Sequence, residues 1–305
     1  MLKTAAIMQT LIFRPGARRI ETKRALVLVT AVVLFLCQAC FRQSPSGQLP
    51  EGAAGIDLGN YRLTRAPIEL GTDIVNASGL TYNRQTGTIF LILNGPTRVL
   101  ELSRAGDRLR TIELEGFDDT EDIVHLGDSR FAVIEERRRT LVVIDITTDT
   151  AAVTYNPARR YLVEPEETGN KGLEGLGFDP RSQEFYATRE KRPRQIYRFT
   201  LPAGATQLVT DSPWNAQRRS NGLIDLSAVH LDTATDRLLL LSDESKALIE
   251  VDKEGREKSR LRLKKGRGGL LHDIPQAEGV TLADDRTLYI CSEPNLLYIY
   301  APKSG

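Results

Sequence analysis

A five-bladed β-propeller is the fold predicted for this 305-residue chain, on three observations. Short apolar, β-branched runs alternate with polar turns along most of its length. Five segments of matching pattern recur at intervals of 43, 53, 53 and 51 residues. The last repeat stops about one strand short, and a strand-like stretch ahead of the first repeat can complete it.

The strand signals include TIFLIL (88–93), LVVIDI (141–146), RLLLLS (237–242) and TLYICSE (287–293). Between the runs lie turn formers such as RAGDR (104–108), DPRSQ (179–183) and KEGRE (253–257). Many short strands at close spacing fit a sandwich, a barrel or a propeller, and self-comparison selects the last. Five segments align: ASGLTYNRQTGTIFLILN (77–94), TEDIVHLGDSRFAVIEE (120–136), LEGLGFDPRSQEFYATRE (173–190), LSAVHLDTATDRLLLLSD (226–243) and AEGVTLADDRTLYICSE (277–293). Each has a polar residue, a small residue or Asp, an apolar strand, a polar turn, and a second apolar strand ending in a polar residue. The first polar column is Ser78, Glu121, Glu174, Ser227 and Glu278; the second is Asn94, Glu135 (or Glu136), Glu190, Asp243 and Glu293. A period of about 50 matches one four-stranded blade. Six blades is the alternative, because the inserts 155–172 and 202–222 read either as loops from one face or as a short extra blade. YRLTRAPIEL (61–70) is expected to close the ring and leave no open edge.

Composition bounds the function. With 27% charged and 41% hydrophobic residues the chain is ordinary globular protein, and 6% aromatic content does not suggest a carbohydrate-stacking groove. Six of the 41 basic and one of the 40 acidic side chains fall within residues 1–40, which leaves the remainder at about −4. That balance excludes a nucleic-acid partner, which requires a basic footprint. The basic front precedes ALVLVTAVVLFLC (25–37), an apolar run short of the roughly 20 residues that span a bilayer but suited to a secretory signal. The small residue before Cys40 gives a lipobox-like match that marks Cys40 as the lipidation candidate; an uncleaved signal anchor is the alternative. Residues 1–40 are therefore expected to be a signal or anchor segment, 41–59 a polar linker, and 60–302 the propeller. The domain is placed on the periplasmic, extracytoplasmic side of the cell membrane. The leader is long enough that translation starting at Met8 is an option. Cys291 stands alone in the folded part, so no internal disulfide is expected, and its strand context reads as a buried small hydrophobe.

In a propeller the first strand of each blade faces the central channel, so equivalent positions converge in space. Glu121, Glu174 and Glu278 cannot sit together uncompensated, because like charges 4 Å apart repel by roughly 4 kcal/mol at an effective dielectric of about 20. An all-oxygen set is the environment of a hard cation, and Ca²⁺ accepts six to eight oxygens in loose geometry. Glu135, Glu190, Asp243 and Glu293 are second-column candidates for the metal or the channel, with Ser78, Asn94 and Ser227 as its neutral polar members. The bland reading has each carboxylate accepting backbone N–H bonds or pairing with Arg137, Arg138, Arg189 or Lys191. Of the three histidines, His125 and His230 occupy equivalent positions in the blade body and read as structural, and His272 lies apart.

At these motifs the chain resembles the SdiA-regulated (YjiK-like) family of bacterial envelope proteins. The stretches that carry the likeness are ASGLTYNRQTGTIFLILN, EDIVHLGDSRFAVIEER, NKGLEGLGFDP (170–180), DLSAVHLDTATDRLLLLSDES (225–245) and IPQAEGVTLADDRTLYICSEPNLLYIY (274–300), spanning about 60–300. The resemblance implies a five-bladed propeller distantly related to NHL-repeat propellers, a calcium site, and no established catalysis. It places the family's acidic positions on Glu121, Glu174 and Glu278, with Glu190, Asp243 and Glu293 as neighbours; blade one departs, with Ser78 and Asn94. Two functions stay open: a calcium-binding module holding a small ligand or envelope protein, and a Ca²⁺-dependent hydrolase of the lactonase or phosphoesterase kind. No G-x-S-x-G elbow or P-loop occurs, which disfavours serine-hydrolase and nucleotide chemistry.

Overall fold

Apolar runs that are buried on both faces, joined by tight polar turns, fold into five antiparallel sheets. The computed structural model describes residues 55–163, 172–191, 194–201, 211–214 and 222–303. The expected signal or anchor segment, with Met8 and Cys40, and most of the linker lie outside the described residues. Among the described residues no helix is long and apolar enough to cross a membrane.

Two short strands, β1 (Tyr61–Leu63) and β2 (Ile68–Glu69), precede the repeats. Blade one comprises β3 (Ala77–Asn83), β4 (Thr88–Leu93), β5 (Arg98–Leu102) and β6 (Arg108–Glu115). Blade two has β7 (Thr120–Gly127), β8 (Arg130–Glu135) and β9 (Thr140–Asp145). The chain then crosses back as β10 (Ala152–Thr154), which pairs in parallel with β6, before β11 (Arg160–Leu162) completes blade two. Blade three is β12 (Leu173–Asp179), β13 (Glu184–Arg189), β14 (Gln195–Thr200) and β15 (Asp211–Trp214). Blade four is β16 (Ala228–Asp232), β17 (Arg237–Ser242), β18 (Ala247–Val251) and β19 (Glu257–Arg262). Blade five is β20 (Gln276–Leu282), β21 (Leu288–Glu293) and β22 (Leu296–Pro302), with β1 as its outer strand. The two inserts read as loops or as an extra blade in fact supply the outer strands of blades two and three, so the described sheets number five.

The ring closes as the sequence predicts. Tyr61 pairs with Pro302 and Leu63 with Tyr300, antiparallel. The buried Tyr61 hydroxyl donates to the Arg286 carbonyl at 3.0 Å, and the Arg286 guanidinium grips Asp232 of blade four through two 2.9 Å bonds. Five apolar clusters fill the five gaps between neighbouring blades. Strand β4 shows how one run serves two gaps: Ile89, Leu91 and Leu93 face blade five, while Phe90 and Ile92 face blade two. Cys291 is a free, fully buried member of the cluster between blades five and one.

The first strands of successive blades touch in a closed cycle, β3–β7–β12–β16–β20–β3. They approach so closely that the small-residue column is a steric necessity. A Cβ on Gly79 would lie 2.6 Å from the Asp122 Cα, and one on Gly175 would lie 2.6 Å from the Ala228 Cα. Asp122 itself is tolerated because its buried carboxylate accepts the Leu176 N–H of blade three at 2.7 Å and the Ile123 N–H at 2.8 Å. Gly175→Ala must force backbone against backbone, so it is expected to cost at least about 1–3 kcal/mol in urea-unfolding experiments; unchanged stability would contradict this packing.

Candidate functional site

The inner strands do not run evenly to the channel mouth. Their pairing with the second strands shifts register between Ala77 and Gly79, Thr120 and Asp122, Leu173 and Leu176, and Ala277 and Gly279. The skipped positions are Ser78, Glu121, Glu174 with Gly175, and Glu278. They are four of the five members of the first polar column. A bulge leaves its extra residue out of the ladder and re-aims the side chain, and here it turns glutamates towards a shared opening.

At that opening lies a cavity of about 290 Å³. Glu121, Glu174, Ser227 and Glu278 line it from the first column, and Asn94, Glu190, Asp243 and Glu293 from the second. Asp225, Glu244, Gln276 and Lys191 complete the wall. Eight carboxylates thus face one ammonium. Lys191 bridges Glu190 (2.7 Å) and Glu244, and Lys246 pairs with Asp243 at 2.6 Å, so the second column is partly compensated. The first-column glutamates have no ion pair among the described residues, although Gln276 hydrogen-bonds Glu278. Asn94 Nδ2 donates to Glu121 at 2.7 Å, and Glu174 makes no hydrogen bond or ion pair among the described residues.

Two expected members are placed elsewhere. Ser78 is buried, turns its hydroxyl to the Asn76 carbonyl at 3.5 Å, and does not line the cavity. Glu135 is fully buried in blade two, where it accepts hydrogen bonds from the Asp118 N–H (2.9 Å), Arg138 (2.7 Å) and Thr140 (3.1 Å). Thr120 pairs with Glu135 as Ala77 pairs with Leu93 and Leu173 with Arg189, so the counterpart of Asn94 and Glu190 is Glu136. The tight turn of blade two shortens its repeat by one residue, and a one-residue slip sends a side chain to the opposite face. Glu136 accepts the Gly172 N–H at 2.8 Å, and its own N–H donates to the Asp119 carbonyl at 2.9 Å.

Burial and mutual repulsion act together on these acids. Glu121 is pushed up to about 9 by burial, reinforced by Asp119, Glu136, Glu278 and Glu293. Burial also lifts Glu278 to about 8, with Glu293, Asp243 and Asp225 adding to the rise. Glu174 is raised well above the usual carboxylate range, again by burial first and then by Glu121, Glu136, Glu278 and Glu190. Such a set favours either protons or a cation.

One carboxylate oxygen from each of Asp119, Glu121 and Glu136 lies within 4.8 Å of the other two. Two oxygens on opposite sides of a Ca²⁺ ion, each about 2.4 Å from it, would be about 4.8 Å apart. The carboxylate donors are oxygen only, as a hard cation requires, while the Asn94 amide nitrogen, which donates to Glu121, also reaches Asp119 at 3.3 Å. The residues present therefore fit a metal ion. Asp119 was missed in the sequence because it precedes the repeat pattern; its left-handed backbone (φ 57°), which Asp adopts more readily than most residues, is the feature that sets it apart. Asp225 was missed for the same reason. It is buried two residues ahead of Ser227 and accepts the N–H groups of Asp243 (3.1 Å) and Glu244 (3.2 Å).

The histidines are remote from this set. His125 and His230 line a second cavity of about 260 Å³ with Thr81, Tyr82 and Leu282, which belong to the far ends of inner strands. His125 Nε2 lies 3.0 Å from the Asp128 carbonyl and its ring packs on Phe131, while burial pushes His230 down to about 4.

The SdiA-regulated family matches residues 55–301, almost the whole described domain. The chain belongs to this family. Among solved structures, the glutaminyl cyclase of Myxococcus xanthus is 11% identical, covers 78% of this chain and 95% of its own, and superposes with a TM-score of 0.52. A calcium-binding protein, regucalcin, from Agrobacterium tumefaciens C58 (14% identity, 77% and 92% coverage, TM-score 0.49) and a gluconolactonase from Xanthomonas campestris (14%, 79% and 94%, 0.47) are also similar. At 11% identity the first of these shares the fold with the family member described above, and its chemistry implies nothing for this chain.

A carboxylate whose folded pKa is raised binds protons more tightly when folded, so stability declines as pH rises through the window between the two values. For Glu121 that window runs from the ordinary value of 4.5 to about 9. In EDTA, the melting temperature is expected to fall as pH rises across that window, with the slope flattened by saturating Ca²⁺. A metal-free melting temperature that rises with pH would contradict the acid cluster.

Proposed function

We propose that the channel mouth binds Ca²⁺ and that the protein is a calcium-dependent binding module, tethered to the cell membrane with its propeller on the extracytoplasmic side. The observation that carries the reading is the cluster of Asp119, Glu121 and Glu136, with one carboxylate oxygen of each within 4.8 Å of the others. These three carboxylates would hold the ion, joined by Asn94 if its amide turns to present oxygen; Glu174, Glu278, Glu190 and Glu293 would sense its charge. A bound Ca²⁺ supplies positive charge and open coordination positions for ligand oxygens. The remaining cavity then suits a small ligand or partner segment carrying carboxylate, phosphate or hydroxyl oxygens, with Lys191 at its rim. The membrane tether rests on the apolar run 25–37 and the lipobox-like context of Cys40.

The alternative is a Ca²⁺-dependent hydrolase using the same mouth. It would want a general base beside the metal, and neither His125 nor His230 lies there. A panel of lactones, esters and phosphoesters, assayed with and without Ca²⁺, separates the two: turnover that Glu174→Gln abolishes without unfolding the domain would favour the hydrolase.

Ca²⁺ is expected to raise the melting temperature and to bind by calorimetry, whereas Glu121→Gln and Glu136→Gln should each weaken affinity by at least about tenfold. Glu135→Gln should leave calcium affinity unchanged while lowering stability. Absence of any calcium response in protein freed of metal would overturn the proposal.

A further inference from the structure

The connection from the outer strand of blade four to the inner strand of blade five forms a shaped platform. It reads LKKGRGGLLHDIP over 263–275. Its base is closed by the Ile274 N–H donating to the Leu263 carbonyl at 3.0 Å, and its tip by the Gly266 N–H donating to the Leu270 carbonyl at 2.8 Å. The Lys265 N–H donates to the Asp273 carboxylate at 2.7 Å, and the Leu63 N–H of the closing strand donates to the Gly268 carbonyl at 2.8 Å. The platform is thus held in one shape by its own backbone and by the first strand.

Many basic side chains elsewhere are tied to acids, as in Arg104–Asp285, Arg108–Asp73, Arg110–Glu101 and Arg181–Asp179. Here Lys264, Lys265, Arg267 and the adjoining Arg65 are exposed and make no ion pair among the described residues. Leu271, 78% exposed, is the most exposed of the large hydrophobic residues among those described. Behind it lies a groove of about 590 Å³, walled largely by apolar side chains that include Leu63, Pro67, Leu296 and Tyr298.

We propose that this face docks on a bilayer containing anionic phospholipid. Unpaired cations around a protruding leucine match the interface of such a membrane, where basic groups meet headgroup phosphates and an apolar side chain enters the acyl boundary. The sequence places the face within reach. Residues 41–54 separate Cys40 from the first described residue, and such a segment spans at most about 50 Å. The closing strand it leads into touches the platform. A tethered domain meets the bilayer at high effective concentration, so weak contacts suffice for docking. The tether itself belongs to the function proposed above and contributes only proximity.

The test uses the full chain reconstituted into vesicles, with Leu271→Cys carrying an environment-sensitive dye and the unsubstituted chain, labelled identically, as blank. In vesicles containing phosphatidylglycerol the dye should shift to the blue and be quenched by spin-labelled lipid, an effect reduced in phosphatidylcholine vesicles and at high salt. Reversing three charges in Lys264→Glu, Lys265→Glu and Arg267→Glu should lower the docking equilibrium on the order of a hundredfold, with the melting temperature unchanged. Flotation reports separately whether the chain stays on the vesicle. A floating chain whose dye stays water-like in anionic vesicles overturns the docking face and leaves the tether standing. A dye that responds equally with and without the charge reversal overturns it too. Loss of flotation on charge reversal supports the docking face and shows that the tether is not sufficient.

Discussion

Five inner strands crowd one axis, and the chemistry of the mouth depends on that crowding. Where they approach most closely there is room for hydrogen or a methyl group at Gly79, Gly175, Ala228 and Gly279, and for one carboxylate, that of Asp122, which spends its acceptors on neighbouring backbone N–H groups. A strand that must present a minimal side chain there and a long polar one immediately before it cannot keep a regular ladder. The bulges at Glu121, Glu174 and Glu278 resolve that conflict. They place three glutamates where the sheets' own hydrogen bonds cannot neutralise them.

The acids at the mouth therefore oppose the stability that the five inter-blade cores provide. Second-column acids are softened by Lys191 and Lys246, but among the described residues Glu121 has only Asn94 as a side-chain hydrogen-bond partner and Glu174 has none. A fold normally satisfies its buried charges, and places where it does not are commonly functional. The one carboxylate trio close enough for a metal among the described residues is formed within blade two and the loop preceding it, not by the glutamates of several blades.

Much of this was legible in the sequence because a propeller repeats its environment, so one pattern is read five times. Blade number, strand pairing within repeats, closure by residues 61–63 and eight lining residues of the mouth follow from the alignment of the two columns. What the columns could not show arises where spacing changes or pattern stops. Glu135 and Glu136 are adjacent and chemically alike, and only the pairing of Thr120 with Glu135 tells which one faces the channel. Ser78 keeps its place in the first column on a bulge, yet its short hydroxyl reaches nearby backbone rather than the cavity. The outer strands β11 and β15 lie in polar stretches without alternation, since an outer strand has less to bury. Asp119 and Asp225 precede the repeat unit, where self-comparison has nothing to compare.

The closing strand has a consequence for the order in which the domain can be made. Blades one to four take their strands from continuous stretches, apart from the excursion through β10, and can pair as the polypeptide emerges. Blade five cannot: its outer strand precedes blade one in the chain and its other three follow blade four. Until Pro302 is available to meet Tyr61, β1 lacks its sheet partner, and the apolar faces of blades one and four that await blade five stay uncovered. A chain cut before β22 would thus leave both ends of the circle open.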